Sequence, residues 1–249
     1  MTAKRTPIWQ SIAASLTEDI TEGRYEPGAK LPTEAELSAR FGVNRHTVRH
    51  ALKSMSNNGL VHSRRGAGVF VAQVPTDYAI GKRVRYHRNL KQAGRLPGKE
   101  ILHLETRTAD TREARALGLA EGAQVHVYDG LSLADSQPIA VFRSVFPAGR
   151  FPALTEQLGR LRSVTAALKE HGIHDYTRAS TRLSARRASA TQALHLRITE
   201  GDPVLRSVGV NVDTNQTPIE FGTTWFAGDR VTLTLSDERS QAGDVPKDS

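Results

Sequence analysis

The sequence predicts an α+β chain of two units: a small helical unit closed by a hairpin, then a larger unit built around an antiparallel sheet in two related halves. Three observations carry this. Two helix-capping signatures stand close together before a glycine-rich hairpin, "LVHSRRGAGVFV". The stretch between Glu36 and Asp77 holds no acidic residue, while Arg40, Arg45, Arg49, Lys53, Arg64 and Arg65 all fall inside it. Residues 116–150 can be laid on 193–230 as an internal repeat. With 249 residues and 38% apolar content the chain can bury two modest cores.

The elements of the first unit follow in order. Pro7 can open a helix over 7–22 in which Ile8, Ile12, Leu16 and Ile20 form an apolar face before Gly23 ends it. "TEAELSARFG" carries a capping box from Thr33 to Glu36, apolar Leu37 and Phe41, and a closing Gly42. Asn44 is a good N-cap for a third helix, "RHTVRHALKSMSNN", with Val48, Ala51, Leu52 and Met55 on one face. Arg45, Arg49 and Lys53 flank that face. Two short helices joined by "FGVN", the second of them basic, make a helix-turn-helix whose recognition helix must enter a major groove about 12 Å wide. The hairpin then reads as a wing. Glycines keep its tip slim, and arginines neutralise phosphates or enter the minor groove.

Charge and motif content exclude several function classes. The formal charge of +8 favours an anionic partner. There is no cysteine, so disulfides, thiolate metal sites and cysteine nucleophiles drop out. No apolar run approaches the ~20 residues of a membrane span, and the N-terminus is too polar for a signal peptide, so a cytoplasmic protein without membrane contact is expected. Histidines 87, 103, 126, 171, 174 and 195 show no spacing for a metal site or a catalytic triad. No metal or cofactor is expected.

Beyond a linker at 73–80, the repeat organises the rest. Leu117 and Leu119 match Leu194 and Leu196, Glu121-Gly122 match Glu200-Gly201, Pro138-Ile139 match Pro218-Ile219, and Phe146 and Arg150 match Phe226 and Arg230. Each half reads as a short helix, a strand, a tight turn and a returning strand. Ser163 stands where it can cap a helix and offer an anion site. Arg178, Arg182 and Arg186 alternate onto one face of a strand, which suits a solvated face as well as a pocket. The run 82–95 holds Lys82, Arg83, Arg85, Arg88, Lys91 and Arg95 with no acid, and a solvated face or an extension of the DNA-contacting surface explains most of these side chains as well as an effector site does. Residues 237–249 read as a polar tail.

The run "KLPTEAELSARFGVNRHTVRHALKSMSNNGLVHSRRGAGVFV" resembles the N-terminal winged helix of GntR-type bacterial transcription regulators, over the domain 1–72. The resemblance implies operator contacts from Thr33, Asn44, Arg45, Thr47 and Arg49, and from Arg64, Arg65, Gly66 and Gly68 of the wing. One departure is Ala35, where many members carry arginine. Residues 81–236 resemble the UTRA effector domain of the HutC branch, whose fold is similar to chorismate lyase. "GKRVRYHRNLKQAG" and the segment from "HDYTRAS" onward look most like PhnF-type regulators of phosphonate-utilisation operons. What the resemblance implies is a homodimeric repressor on a palindromic operator, released by a small anionic effector such as a phosphonate or phosphate compound. It places Arg85, Tyr86, Asn89, Ser132, Ser163, Arg178 and Glu220 around that effector. Three departures bear on the pocket. Phe226 stands where relatives often have tyrosine, and Gly130 and Ser132 stand where amino-sugar-responsive regulators have arginines. Two rival readings remain: a HutC-type regulator answering a sugar phosphate or urocanate-like metabolite, and a chorismate-lyase-like enzyme.

Overall fold

The computed structural model describes residues 7–64, 66–72, 75–81 and 86–235. They fall into two units that divide at Val74 and Pro75. In the first, α1 (Ile8–Thr21), α2 (Glu34–Phe41) and α3 (Arg45–Asn57) precede an antiparallel hairpin of β1 (Val61–Arg64) and β2 (Gly68–Val71). Pro7 serves as N-cap of α1 rather than as its first residue. The capping box of α2 forms as the sequence predicts, with Thr33 Oγ1 accepting from Glu36 N and Glu36 Oε2 accepting from Thr33 N. Gly42 then ends α2 in the left-handed region at φ 64°, a conformation that β-carbon sterics deny to most residues. Asn44 Oδ1 accepts from Thr47 N at 2.9 Å and starts α3 three residues later. The sharp turn between the helices is thus fixed by a glycine and an amide side chain.

Ile12, Leu16, Leu37, Val48, Ala51, Leu52 and Met55 meet Leu31, Val61 and Val71 in one core. Leu37 is fully buried, so Leu37→Ala should cost about 2–5 kcal/mol. A buried carboxylate ties the helices from the outside: Asp19 of α1 accepts from Arg40 of α2 at 2.6 Å and also pairs with Arg24. The Arg40 hydrogen bond, against the opposing cost of burial, holds the Asp19 carboxyl below its ordinary range.

The second unit begins earlier than the sequence reading places it. Residues 76–79, read as linker, form β3 (Thr76–Ala79), which pairs in parallel with β10 (Val231–Thr234). Thr76 and Tyr78 are buried there, and that burial, invisible in a short polar segment, makes it a strand. Next come α4 (Tyr86–Gln92) and two β-α-β-β halves: β4 (Pro97–Thr108), α5 (Thr111–Leu117), β5 (Gln124–Ala134), β6 (Gln137–Pro147); then, after α6 (Leu154–Leu161) and α7 (Val164–Glu170), β7 (Tyr176–Arg187), α8 (Ala190–Leu196), β8 (Pro203–Asp213), β9 (Pro218–Ala227). They build one antiparallel six-stranded sheet in the order β4-β5-β6-β9-β8-β7.

The repeat is visible as symmetry. From Pro138 and Pro218 onward the matched positions lie 80 residues apart, and Arg143 pairs directly with Thr223 where β6 meets β9. A pseudo-two-fold axis therefore passes through that pair. The matched arginines brace across it: Arg150 of the first half pairs with Asp213 at the second hairpin, and Arg230 of the second donates to Pro138 O at the first.

A bulge corrects the reading of β7. Arg178 pairs with Asn211 but Ser180 pairs with Val210, so Ala179 is an extra residue and the side-chain parity flips there. Arg178 consequently faces one side of the sheet, whereas Arg182 lines a separate cavity of about 480 Å³ with Arg112, Arg115 and Phe221. Simple alternation put the two arginines together; the structure parts them.

Candidate functional site

In the first unit, α3 presents Arg45, His46, Arg49 and Lys53 as exposed side chains on the face away from its core. His50 is exposed too, with its ring stacked on Trp9 of α1 at 4.3 Å between centroids. Arg49 makes a two-pronged pair with Glu34, Nε to Oε1 at 3.0 Å and Nη2 to Oε2 at 2.7 Å. The guanidinium holds the Glu34 carboxyl below its ordinary range, and Glu34 aims that guanidinium in the absence of a ligand. Thr33, Asn44 and Thr47 are committed to caps: Thr33 Oγ1 lies 2.8 Å from Glu36 Oε2, and Thr47 Oγ1 lies 3.0 Å from Asn44 Oδ1. At the hairpin tip Gly66 and Gly68 take φ 76° and 118°, and a β-carbon on Gly68 would stand 2.8 Å from Lys30 Cε. Arg65 lies outside the described residues, and Arg64 is described in its backbone only.

The second unit holds a cavity of about 540 Å³ on the α7 side of the sheet, within the range of small-molecule sites. Of the residues expected to bind an effector, Tyr86, Ser132, Ser163, Arg178 and Glu220 line it. Arg85 lies outside the described residues. Asn89 is buried but does not line the cavity; its Nδ2 donates to Ala79 O at 2.8 Å, and its side chain bonds Tyr78. Tyr86 contributes its ring rather than its hydroxyl, because Oη lies 2.8 Å from Gly98 O and 2.5 Å from Leu133 O. Ser163 Oγ caps α7, accepting from Ala166 N at 3.3 Å. Glu220 is buried, with Oε1 accepting from Ser144 Oγ and Oε2 from Asn211 Nδ2, both at 2.6 Å.

Sequence reasoning missed much of the lining, Tyr78 and Lys99 above all, and it missed Gly209, which packs beside Arg178. Tyr78, from the supposed linker, packs against Phe226 at 5.2 Å between centroids, and both rings line the cavity. Gly209 lies over the guanidinium: its β-carbon would stand 2.2 Å from Arg178 Nη1, so only glycine leaves that arginine its place. Lys99, from β4, carries its Nζ 4.1 Å from the centroid of the Phe142 ring. No local motif marks any of the three, because β-pairing brings each to its place from a distant segment.

The Gly130 departure also acquires a cause. A β-carbon there would meet the Phe142 ring and Glu100 O, both at 2.6 Å, so an arginine side chain cannot occupy this position. Lys99, paired across the ladder with Ser132, supplies the cation from the neighbouring strand instead.

In charge, the lining sets Lys91, Lys99, Lys169 and Arg178 against Glu220. Arg178 Nε is buried without a hydrogen-bond partner. An unpaired buried donor costs stability until some group accepts from it, so this lining has the chemistry to take an oxyanion. His126, by contrast, is spent on structure, its Nδ1 2.7 Å from Thr106 Oγ1 and its Nε2 3.0 Å from Phe151 O. No histidine lines the cavity among the described residues.

A capped helix-turn-helix with a slim wing, joined in one chain to a sheet domain with a cationic cavity, defines a DNA-binding regulator with an effector domain. Comparison with known proteins agrees: residues 9–71 match the bacterial regulatory proteins of the gntR family and residues 92–232 match the UTRA domain. The chain is 35% identical over 229 residues to the uncharacterized HTH-type transcriptional regulator RB1450 of Rhizobium meliloti, covering 92% of this chain and 94% of that one. It is 32% identical to the probable transcriptional regulator PhnF of Escherichia coli, covering 91% and 94%. The crystal structure of PhnF from Mycobacterium smegmatis superposes with a TM-score of 0.64 at 27% identity, covering 91% of this chain and 99% of that one. The chain belongs to the GntR family, as a transcriptional regulator of HutC type with a UTRA domain and with PhnF homologues. No described helix is long and apolar enough to cross a membrane.

Proposed function

We propose that this regulator is a homodimeric cytoplasmic repressor of a phosphonate-utilisation operon, released when a small phosphonate or phosphate compound enters the UTRA cavity. The observation that carries the reading is the convergence of Lys91, Lys99, Lys169 and Arg178 on one cavity with Arg178 Nε unsatisfied. A dimer follows from recognition physics, because one winged helix reads few base pairs and binding near 10⁻⁸ M or tighter calls for two half-sites. The relatives named PhnF favour phosphonate chemistry. The HTH-type transcriptional repressor NagR of Bacillus subtilis, 27% identical over 227 residues, supports the repressor sign, and a HutC-type regulator answering a sugar phosphate or urocanate-like metabolite is the alternative. Phe142 packed over Gly130 argues against an arginine-pair pocket of the amino-sugar kind.

The test is a thermal-shift screen of phosphate, alkylphosphonates, sugar phosphates and urocanate, followed by operator binding with each hit. A specific ligand at 100 times its Kd stabilises by about 2.7 kcal/mol. Stabilisation by a phosphonate together with loss of operator binding supports the reading. Stabilisation by a sugar phosphate alone overturns it.

A further inference from the structure

Lys99 is an unusual cation for an anion site. Its Nζ has the Phe142 ring at 4.1 Å, Tyr86 at 5.0 Å and Tyr128 at 5.8 Å, so aromatic carbon walls it on three sides. Among the described residues no carboxylate forms an ion pair with it and no oxygen or nitrogen accepts from it. An ammonium offers three donors and is poorly served there. Of the two tyrosines in that wall, Tyr86 has turned its hydroxyl to the backbone oxygens of Gly98 and Leu133, and the Tyr128 hydroxyl is buried and makes no hydrogen bond to Lys99. Burial, against the opposing attraction of Glu220, brings the Lys99 ammonium down to about 8. A neutral amine carries no charge to solvate, and a neutral imine nitrogen has one lone pair and no N–H, so either fits these surroundings better than an ammonium does.

Taking the cavity as an effector site, we propose that Lys99 is a carbonyl-reactive amine that holds an aldehyde bearing a phosphate or phosphonate group as a reversible imine. The amine lone pair adds to the aldehyde carbon, forming the C–N bond while the carbonyl oxygen gains a proton from nitrogen. The second nitrogen hydrogen and that hydroxyl then leave as one water, giving C=N. No oxidant or reductant is consumed, and hydrolysis reverses the step. Arg178, with its unsatisfied Nε, anchors the oxyanion and orders the aldehyde against the amine. A merely electrostatic lysine would be replaceable by arginine; an imine-forming one is not.

The experiment uses the full chain with pyridoxal 5′-phosphate as a phosphorylated-aldehyde probe, reduction with borohydride, and peptide mass spectrometry. At pH 7.5 an amine of this acidity is neutral on the order of 100-fold more often than a surface lysine, so Lys99 should take at least about ten times the label of Lys30 or Lys53. Inorganic phosphate should suppress that labelling, and pyridoxal without its phosphate should lose the preference. Lys99→Arg, checked for native circular dichroism and melting, should lose the label while Lys30 and Lys53 take it as in wild type. Label shared equally among lysines, or concentrated on Lys91 or Lys169, overturns the assignment. If wild type takes no label yet binds phosphate, the imine is wrong and the anion cavity stands. If it does neither, both readings fail.

Discussion

Substituting Gly209 by alanine should silence the effector cavity without removing a charge. The added β-carbon would stand 2.2 Å from Arg178 Nη1, 2.9 Å from Arg178 Cδ and 2.6 Å from Ser180 O, all distances that force movement. The flexible arginine gives way first, and the contact with the Ser180 carbonyl, held in the sheet, is relieved only by a backbone shift. Overpacking of this kind costs about 1–3 kcal/mol of stability. Losing one or two charge-assisted hydrogen bonds of about 1.5–3 kcal/mol each should weaken a phosphonate at least roughly tenfold. Gly222 is a built-in control: it pairs directly with Gly209 across the ladder, and its β-carbon would find only Glu220 Oε1 at 3.7 Å, an ordinary contact. Gly222→Ala should therefore bind methylphosphonate or phosphate almost as wild type does, while Gly209→Ala should not. Calorimetry measures both, and operator affinity without effector should be unchanged in each. Equal anion binding by Gly209→Ala and wild type would refute the reasoning that places Arg178 in the site.

Arg45→Ala and Arg49→Ala should each weaken a cognate operator about 5- to 150-fold and narrow its advantage over random duplex, as read by fluorescence anisotropy. Unchanged discrimination would displace α3 as the recognition helix. Asp19→Asn should lower stability by on the order of 1–3 kcal/mol, since it weakens the bonds from Arg40 and Arg24 at a buried position. The Asp19 carboxyl lies lower in the folded chain than in the unfolded one, so its contribution is present above about pH 4 and lost as pH falls below it. The variant's melting deficit relative to wild type should shrink on acidification, and a deficit constant from pH 7 to 3 would contradict this. Residues 1–75 alone should sediment as a monomer and bind operator poorly, whereas a stable dimer would remove the second unit from assembly.

Local chemistry was legible and remote pairing was not. Thr33, Asn44 and Gly42 announce their roles because a cap is a contact within three residues. The repeat revealed the sheet's symmetry because matched strands bury matched side chains, and a two-residue turn at Asp135-Ser136 with φ 48° and 65° follows from its polar residues. The cavity was half legible. Ser163 and Glu220 stand at recognisable positions, but Lys99 enters from an edge strand with no motif, and Tyr78 from a segment whose burial only the fold reveals. Arg178 and Arg182 were misjudged together because one bulged residue reverses parity, and nothing in "YTRASTRLSARR" marks it.

The central claim is that one chain couples an oxyanion in the UTRA cavity to the grip of its winged helix on DNA. Titrating the effector by calorimetry into the full chain, free and bound to operator, tests it most directly. Linkage requires operator to weaken the effector by the same factor that effector weakens operator, typically about 5- to 150-fold. The account predicts equal factors of that size in both directions. Identical effector affinity with and without operator would contradict it, because a ligand that binds both states alike shifts neither.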